Sequence, residues 1–212
     1  MNNKPLKVGI AGLGTVGIAL LKVLHDNAGI MTKRCGRDVV AVAVNARDRS
    51  RDRGFDISGL NWFDNAEDLA TADEIDVFVE LIGGEDGVAL DATRKALAAG
   101  KHVVTANKAM LAKHGVELAQ AAEEKGVLLN FEAAVAGGIP IIKTMRETLT
   151  ANNIERVYGI MNGTCNYMLT RMEKEGISYE DCLADAQRLG YAEADPTFDV
   201  EGFDTAHKLA IL

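Results

Sequence analysis

The sequence predicts an α/β protein, a doubly wound parallel sheet followed by part of an α+β domain. Three observations predict it. Short apolar runs alternate with longer helical patterns as far as about residue 140, a glycine-rich turn follows the first run, and beyond residue 140 the alternation gives way to mainly helical patterns. An uninterrupted apolar run belongs to a strand buried on both faces, which is how the strands of a helix-covered parallel sheet read.

The elements follow in order. Residues 7–11 are a compact apolar run feeding a glycine turn, and residues 15–27 then carry apolar side chains at helical spacing. Residues 39–44 form a second strand, and a charged, irregular stretch follows it. Residues 75–81 give a third strand, 87–99 a helix stopped by Gly100, 102–105 a fourth strand, 110–125 a helix stopped by Gly126, and 127–131 a fifth strand. Further on, residues 154–160 read as a strand and 165–174, 179–189 and 200–212 as helices. The domain boundary is expected within 139–150, giving one domain over 1–140 and the first part of another over 141–212. The last helical pattern reaches residue 212 without a C-cap signal, as in a chain that continues.

Composition narrows the function classes. The chain has 212 residues, 48% hydrophobic and 25% charged, with a formal net charge of −8. That is ordinary globular composition and enough chain for a core. The acidic balance speaks against a general nucleic-acid binder, which needs a basic face. It leaves room for a nucleotide, because backbone N–H groups hold phosphate on an acidic protein. Cys35, Cys165 and Cys182 lack metal-site or disulfide spacing, so reduced thiols in a cytoplasmic protein are expected. His25, His102, His114 and His207 form no metal-binding pattern either. No apolar run is long enough for a membrane span, and a strand starting near Leu6 leaves no space for a signal peptide.

The sharpest motif is Gly12-Leu13-Gly14-Thr15-Val16-Gly17, a G-x-G-x-x-G placed after a strand and at the start of a helix. The first glycine permits the tight turn, the second lets a pyrophosphate reach the backbone, and the third lets helix and strand pack closely. In isolation the motif would fit any strand–turn–helix. Its place in a βα alternation makes it a Rossmann dinucleotide site. At the end of the second strand, where an NAD site usually carries a carboxylate for the ribose, the chain has Arg47. A guanidinium near a 2′-phosphate gains roughly 4 kcal/mol of Coulomb energy at about 4 Å, before desolvation. NADP is therefore favoured, with Arg47 as the contact, while the adjacent Asp48 keeps NAD open. A solvated charged turn is the bland alternative.

Near the other end, Asp204 and Lys208 stand four apart on a helix and share one face. Such pairs are usually surface ion pairs of little energy. Here they lie on a stripe continued by Ile211 and Leu212, just after a segment rich in carboxylates, Glu193, Asp195 and Asp199.

Six blocks in order give the sequence a resemblance to the homoserine dehydrogenase family. They are residues 12–17, 79–84 (Val-Glu-Leu-Ile-Gly-Gly), 105–108 (Thr-Ala-Asn-Lys), 131–140 (Phe-Glu-Ala-Ala-Val-Ala-Gly-Gly-Ile-Pro), 159–166 (Gly-Ile-Met-Asn-Gly-Thr-Cys-Asn) and 190–208. That family reduces aspartate 4-semialdehyde to homoserine, reversibly, on the branch from aspartate to threonine and methionine. The resemblance implies an oxidoreductase that is a homodimer in its full length, with a catalytic region running well past residue 212. It implies Glu193 and Asp204 as substrate ligands with Asp199 nearby, and Lys208 as the general acid and base. A free lysine near pKa 10.4 is a poor base at neutral pH, so burial, a second cation such as Lys108, or a relaying water would have to assist it. The resemblance also implies cofactor contacts at Lys108 and Gly190, although Gly190 could equally be a helix-ending glycine. Gly83 and Gly84, at the carboxyl edge of the sheet, fit close approach to a nicotinamide. Finally, it implies a monovalent cation such as sodium on the loop of Glu132, Val135, Gly137 and Ile139, largely through carbonyl oxygens, where an interdomain turn would serve as well. Another amino-acid dehydrogenase of the same fold, and a module that senses NADP(H) without turnover, stay open as alternatives.

Overall fold

The structure, a computed structural model, describes residues 4–212. The chain divides into two units, one ending at Gly137 and one running from Gly138 to Leu212.

Among the described residues the first unit holds six strands: β1 (Leu6–Ala11), β2 (Val39–Asn45), β3 (Asn61–Phe63), β4 (Val77–Glu80), β5 (His102–Thr105) and β6 (Leu129–Asn130). They form one sheet in the order β3-β2-β1-β4-β5-β6, with every neighbour pair parallel. Beside β1 the order reverses, with Ile10 opposite Val44 on one side and Val79 on the other. Helices α1 (Thr15–Asp26), α2 (Ala28–Cys35), α3 (Ala66–Thr71), α4 (Val88–Ala98) and α5 (Lys108–Lys125) connect the strands, and the short α6 (Glu132–Val135) follows β6. Val8, Ile10, Leu13, Ile18, Leu21, Val44, Val77 and Val79 pack as one core, tying the glycine turn and α1 to the three central strands. Burying a Val, Leu or Ile side chain contributes roughly 1.5–3 kcal/mol, so this cluster fixes the turn firmly.

The stretch from 46 to 74 is more ordered than its charge suggests. β3 is a three-residue edge strand, and α3 starts at Asn65, whose Oδ1 accepts the Glu67 N–H at 2.8 Å. Both are too short and polar to give a periodic signal.

The second unit is helical: α7 (Ile141–Lys143) running into a π-helical turn (Thr144–Thr148), then α8 (Gly163–Glu175), α9 (Tyr179–Arg188), α10 (Thr197–Val200) and α11 (Phe203–Ile211). Met168, Cys182, Ala186 and Ala192 form its buried centre where α8 packs on α9. Two sequence expectations fail here. Residues 154–160 form no strand; they have no regular secondary structure, with Tyr158 and Ile160 exposed. A strand needs a neighbour's N–H and C=O groups, and no pairing to this segment occurs among the described residues. The helix expected over 200–212 is two helices, because Gly202 adopts φ 83° and starts α11 as its N-cap. No helix among the described residues is long and apolar enough to cross a membrane.

Candidate functional site

At the carboxyl edge of the sheet the three motif glycines have different reasons to be glycine. Gly12 has φ 99°, and a Cβ there would lie 2.3 Å from the Leu81 carbonyl oxygen and 2.9 Å from the Ile82 nitrogen. A Cβ on Gly17 would lie 2.1 Å from the Gly12 carbonyl oxygen. Protein packing therefore demands glycine at both positions. Gly14 is different: its backbone is extended, and a Cβ there would meet nothing within 4 Å. The space beside Gly14 is open and belongs to a crevice that Gly14 lines. As N-cap of α1, Gly14 brings no side chain to the first turn, so the N–H groups at Thr15 and Val16 face outward with the positive end of the helix dipole.

That crevice has a volume of about 630 Å³ and is lined by Gly12, Leu13, Gly14, the end of β2 from Asn45 to Asp48, the start of α3, and Leu81 and Ile82. It opens where the strand order reverses, the place where open α/β sheets take a ligand. The shape and the donors fit a dinucleotide, with the pyrophosphate over Gly14. A cavity of similar size, about 640 Å³, lies among Leu21, Leu24, Val39, Ala41, Phe55 and Leu60. It sits against the amino end of β2, at the wrong rim for that chemistry.

Arg47 is exposed on the crevice wall, and Arg51 and Arg53 line it too. Arg53 donates to the Arg51 carbonyl at 2.8 Å and to the Asp48 carbonyl, and lies over the Trp62 ring at 5.9 Å. It thereby folds the loop that presents Arg47. Asp48 is occupied, accepting from the Ser50 hydroxyl at 2.7 Å and the Ser50 N–H at 2.8 Å. Those bonds hold its carboxyl below the usual carboxylate range. Lys108 opens α5 directly after Asn107, whose Oδ1 caps the helix by accepting the Met110 N–H at 3.1 Å.

In the second unit Asp199, Asp204 and Lys208 come together, while Glu193 and Asp195 stay exposed outside their hydrogen-bond network. Lys208 Nζ donates to Asp204 Oδ2 and to the Met161 carbonyl, each at 2.7 Å. The Lys208 and Asp204 side chains are 19% and 4% exposed, so a half-buried ammonium meets a buried carboxylate. Asn162 Nδ2 donates to Asp199 Oδ1 at 2.8 Å and to Asp204 Oδ2 at 2.9 Å, while its Oδ1 caps α8 by accepting the Cys165 N–H at 2.8 Å. Thr164 Oγ1 lies 2.7 Å from the Tyr191 carbonyl and 3.1 Å from Asp199 Oδ2, sharing its proton between them. Burial, followed by the charges of Asp199 and Asp204, pushes the Cys165 thiol up. The result is two carboxylates and one ammonium on a common amide hinge.

Sequence reasoning missed Asn162 and Thr164 as members of this cluster. The available signal was an asparagine just before a helical run, which marks an N-cap. Glu193 is exposed, with its carbonyl accepting from Gln187 Nε2 at 3.0 Å. Gly190 has φ 80° just past α9 and donates to the Gln187 carbonyl at 3.1 Å, so the helix ending accounts for that glycine. Of the proposed cation loop, Glu132 and Val135 belong to α6, Gly137 ends the first unit, and Ile139 is exposed in the second. Among the described residues no group of three or more His, Cys, Asp or Glu is arranged to hold a metal ion.

A reversing parallel sheet, a glycine turn that two backbones force, and a crevice over its helix define a dinucleotide-binding protein of the Rossmann class. Residues 12–132 match the family description "Homoserine dehydrogenase, NAD binding domain", and residues 140–212 match "Homoserine dehydrogenase". The chain belongs to the homoserine dehydrogenase family. It is 53% identical over 211 residues to the homoserine dehydrogenase of Pseudomonas aeruginosa, covering 99% of this chain and 48% of that protein. A crystal structure of a homoserine dehydrogenase from Thiobacillus denitrificans superimposes with a TM-score of 0.89 at 52% identity, over 97% of this chain and 47% of that one. A hyperthermophilic archaeal homoserine dehydrogenase in complex with NADPH superimposes with a TM-score of 0.84 at 26% identity, over 98% and 68% of the two chains. The chain thus spans about half the length of the curated relatives it matches.

Proposed function

We propose that this chain carries the cofactor domain and the proton-transfer helix of an enzyme that interconverts L-aspartate 4-semialdehyde and L-homoserine with NADP(H). The buried cluster of Lys208, Asp204, Asn162 and Asp199 is the observation that carries this reading. An amino-acid aldehyde presents an ammonium group and a carbonyl. Asp199 and Asp204, with Glu193 on the preceding loop, answer the ammonium, since ionised carboxylates accept hydrogen bonds and carry the opposite charge. Lys208 gives a proton from Nζ to the carbonyl oxygen as that carbon is reduced, and takes it back in the oxidation direction. When bound, the nicotinamide cofactor supplies or accepts the hydride. Gly14 and the first turn of α1 hold its pyrophosphate, with Lys108 and Gly190 as further contacts. Arg47 meets the 2′-phosphate, and Ser50 occupies one oxygen, Oδ1, of the carboxylate an NAD site would use. A monovalent cation on the carbonyls of the 132–139 loop belongs to the same reading, and no step passes through it. The intact protein is expected to act as a homodimer.

The test uses a chain of the relatives' full length, supplied with homoserine and NADP, with nicotinamide reduction followed by absorbance. Lys208→Ala is expected to lower turnover by about 10²–10⁴ while NADPH binding persists. Turnover that survives the substitution overturns the role of Lys208. NADPH binding without any turnover of homoserine by the intact protein would instead mark a sensing module, and turnover of a different amino-acid alcohol would mark another dehydrogenase.

A further inference from the structure

Glu80 is the last residue of β4 and is completely buried. Its Oε1 accepts the Ile82 N–H at 2.7 Å and the Gly83 N–H at 3.1 Å. The parallel register sets it opposite Thr105, and Thr105 Oγ1 donates to Glu80 Oε2 at 2.5 Å. Thr105 Oγ1 in turn accepts the Asn107 N–H at 3.0 Å, and Asn107 Nδ2 reaches back to the Gly84 carbonyl at 2.7 Å. The bonds close a ring that joins the 82–84 turn to the start of α5. None of the chemistry described so far uses Glu80.

Taking a carboxylate out of water is costly unless donors replace it, and here three do. A carboxylate also does something no neutral group of its size can. It only accepts, so Thr105 must donate its one hydroxyl proton to it, and Thr105 Oγ1 acts toward Asn107 only as an acceptor. The direction of each bond around the ring is thereby fixed. The 82–84 turn, with φ 85° and 91° at its two glycines, is thereby tied to Glu80 at one end and to Asn107 at the other. This turn borders the crevice beyond Gly12, on the β4 side of the reversal point, while Arg47 marks the β2 side.

We propose that Glu80 is a positioning residue for the nicotinamide half of the cofactor. It locks the 82–84 turn and the Asn107–Lys108 start of α5 into one rigid edge against which that half lies. The inference rests on the proposed use of NADP(H), and its test separates the two. In the full-length protein, Glu80→Gln and the isosteric Thr105→Val each break the ring's polarity without changing its volume. NADPH binding is read by cofactor fluorescence, and binding of 2′,5′-ADP, which lacks the nicotinamide half, by calorimetry. NADPH is expected to weaken about tenfold in both variants, which is about 1.4 kcal/mol, with 2′,5′-ADP within about twofold of the parent. Equal weakening of both ligands, or of neither, overturns the role of Glu80. Should Glu80→Gln fail to fold, Thr105→Val alone decides by the same comparison. Failure of the parent protein to bind NADPH would count against the cofactor assignment instead.

Discussion

Replacing Asn162 by Asp keeps the helix cap and inverts the electrostatics of the cluster. Aspartate caps as well as asparagine, so α8 loses nothing at its start. The amide that donates to Asp199 and Asp204 becomes a third carboxylate within hydrogen-bond distance of both. Two like charges about 4 Å apart at an effective dielectric near 20 repel by about 4 kcal/mol, and there are two such pairs against one ammonium, Lys208. The cluster has a cheaper escape, which is to bind a proton. Protonating a carboxyl of pKa about 3.9 at pH 7 costs about 4 kcal/mol, and that caps the penalty. The sign follows. The folded variant holds this proton more tightly than the unfolded chain does, so its penalty shrinks by about 1.4 kcal/mol per pH unit as pH falls, vanishing near pH 4. Urea unfolding across that range measures it, and the aromatic residues separate the two units. The single Trp, Trp62, lies in the first, and all four Tyr, residues 158, 167, 179 and 191, lie in the second. The tyrosine near-ultraviolet dichroism transition should move and the Trp62 emission transition should not. Asn162→Ala supplies the comparison, with a loss from the missing cap and donors and a much flatter pH dependence. If the Asp variant shows no steeper pH dependence than the Ala variant, the shared-amide account of this cluster is wrong.

Three further outcomes are expected. Gly17→Ala should destabilise the first unit by about 1–3 kcal/mol, since the Gly12 carbonyl cannot move away, whereas Gly14→Ala should leave the Trp62 transition in place and weaken NADPH binding. Arg47→Ser should weaken NADPH about tenfold and NADH hardly at all, read as the ratio of the two dissociation constants. Of the three cysteines, exposed Cys35 should react with a disulfide reagent at once at mildly alkaline pH, Cys165 slowly because burial and two carboxylates keep its thiol protonated, and buried Cys182 only on unfolding.

The parts of this fold that are legible in the sequence are those with a period or a steric rule. β1, β2, β4 and β5 are continuous apolar runs, and Gly12 and Gly17 sit where two backbones touch. α2, α3 and β3 escape because each is short and carries polar residues in the charged stretch or its flanks. The segment 154–160 misleads for the opposite reason: its β-branched and aromatic residues suit a strand, but strand formation is settled by a partner. In the second unit the Asp204 and Lys208 pairing is readable from helical spacing alone. Asn162 and Thr164 are not readable as its partners, since they stand about forty residues upstream and only folding brings them near. Glu80 is the extreme case. Its sequence neighbours give it the look of a strand residue, and its partners, the N–H groups of the following turn and the Thr105 hydroxyl of the adjacent strand, appear only in the fold.

The uniform direction of the six strands also sorts the molecule into a working rim and a spare one. Each loop tied here to cofactor chemistry in the first unit leaves from the ends where the strands finish. The returns at 36–38, 72–76, 99–101 and 126–128 lie at the other rim, a strand's length away. Those four turns are where the domain can be lengthened, tagged or recut to new termini while the groups around Gly14 and Glu80 keep their places, and a family of such domains can diverge there with little consequence for catalysis.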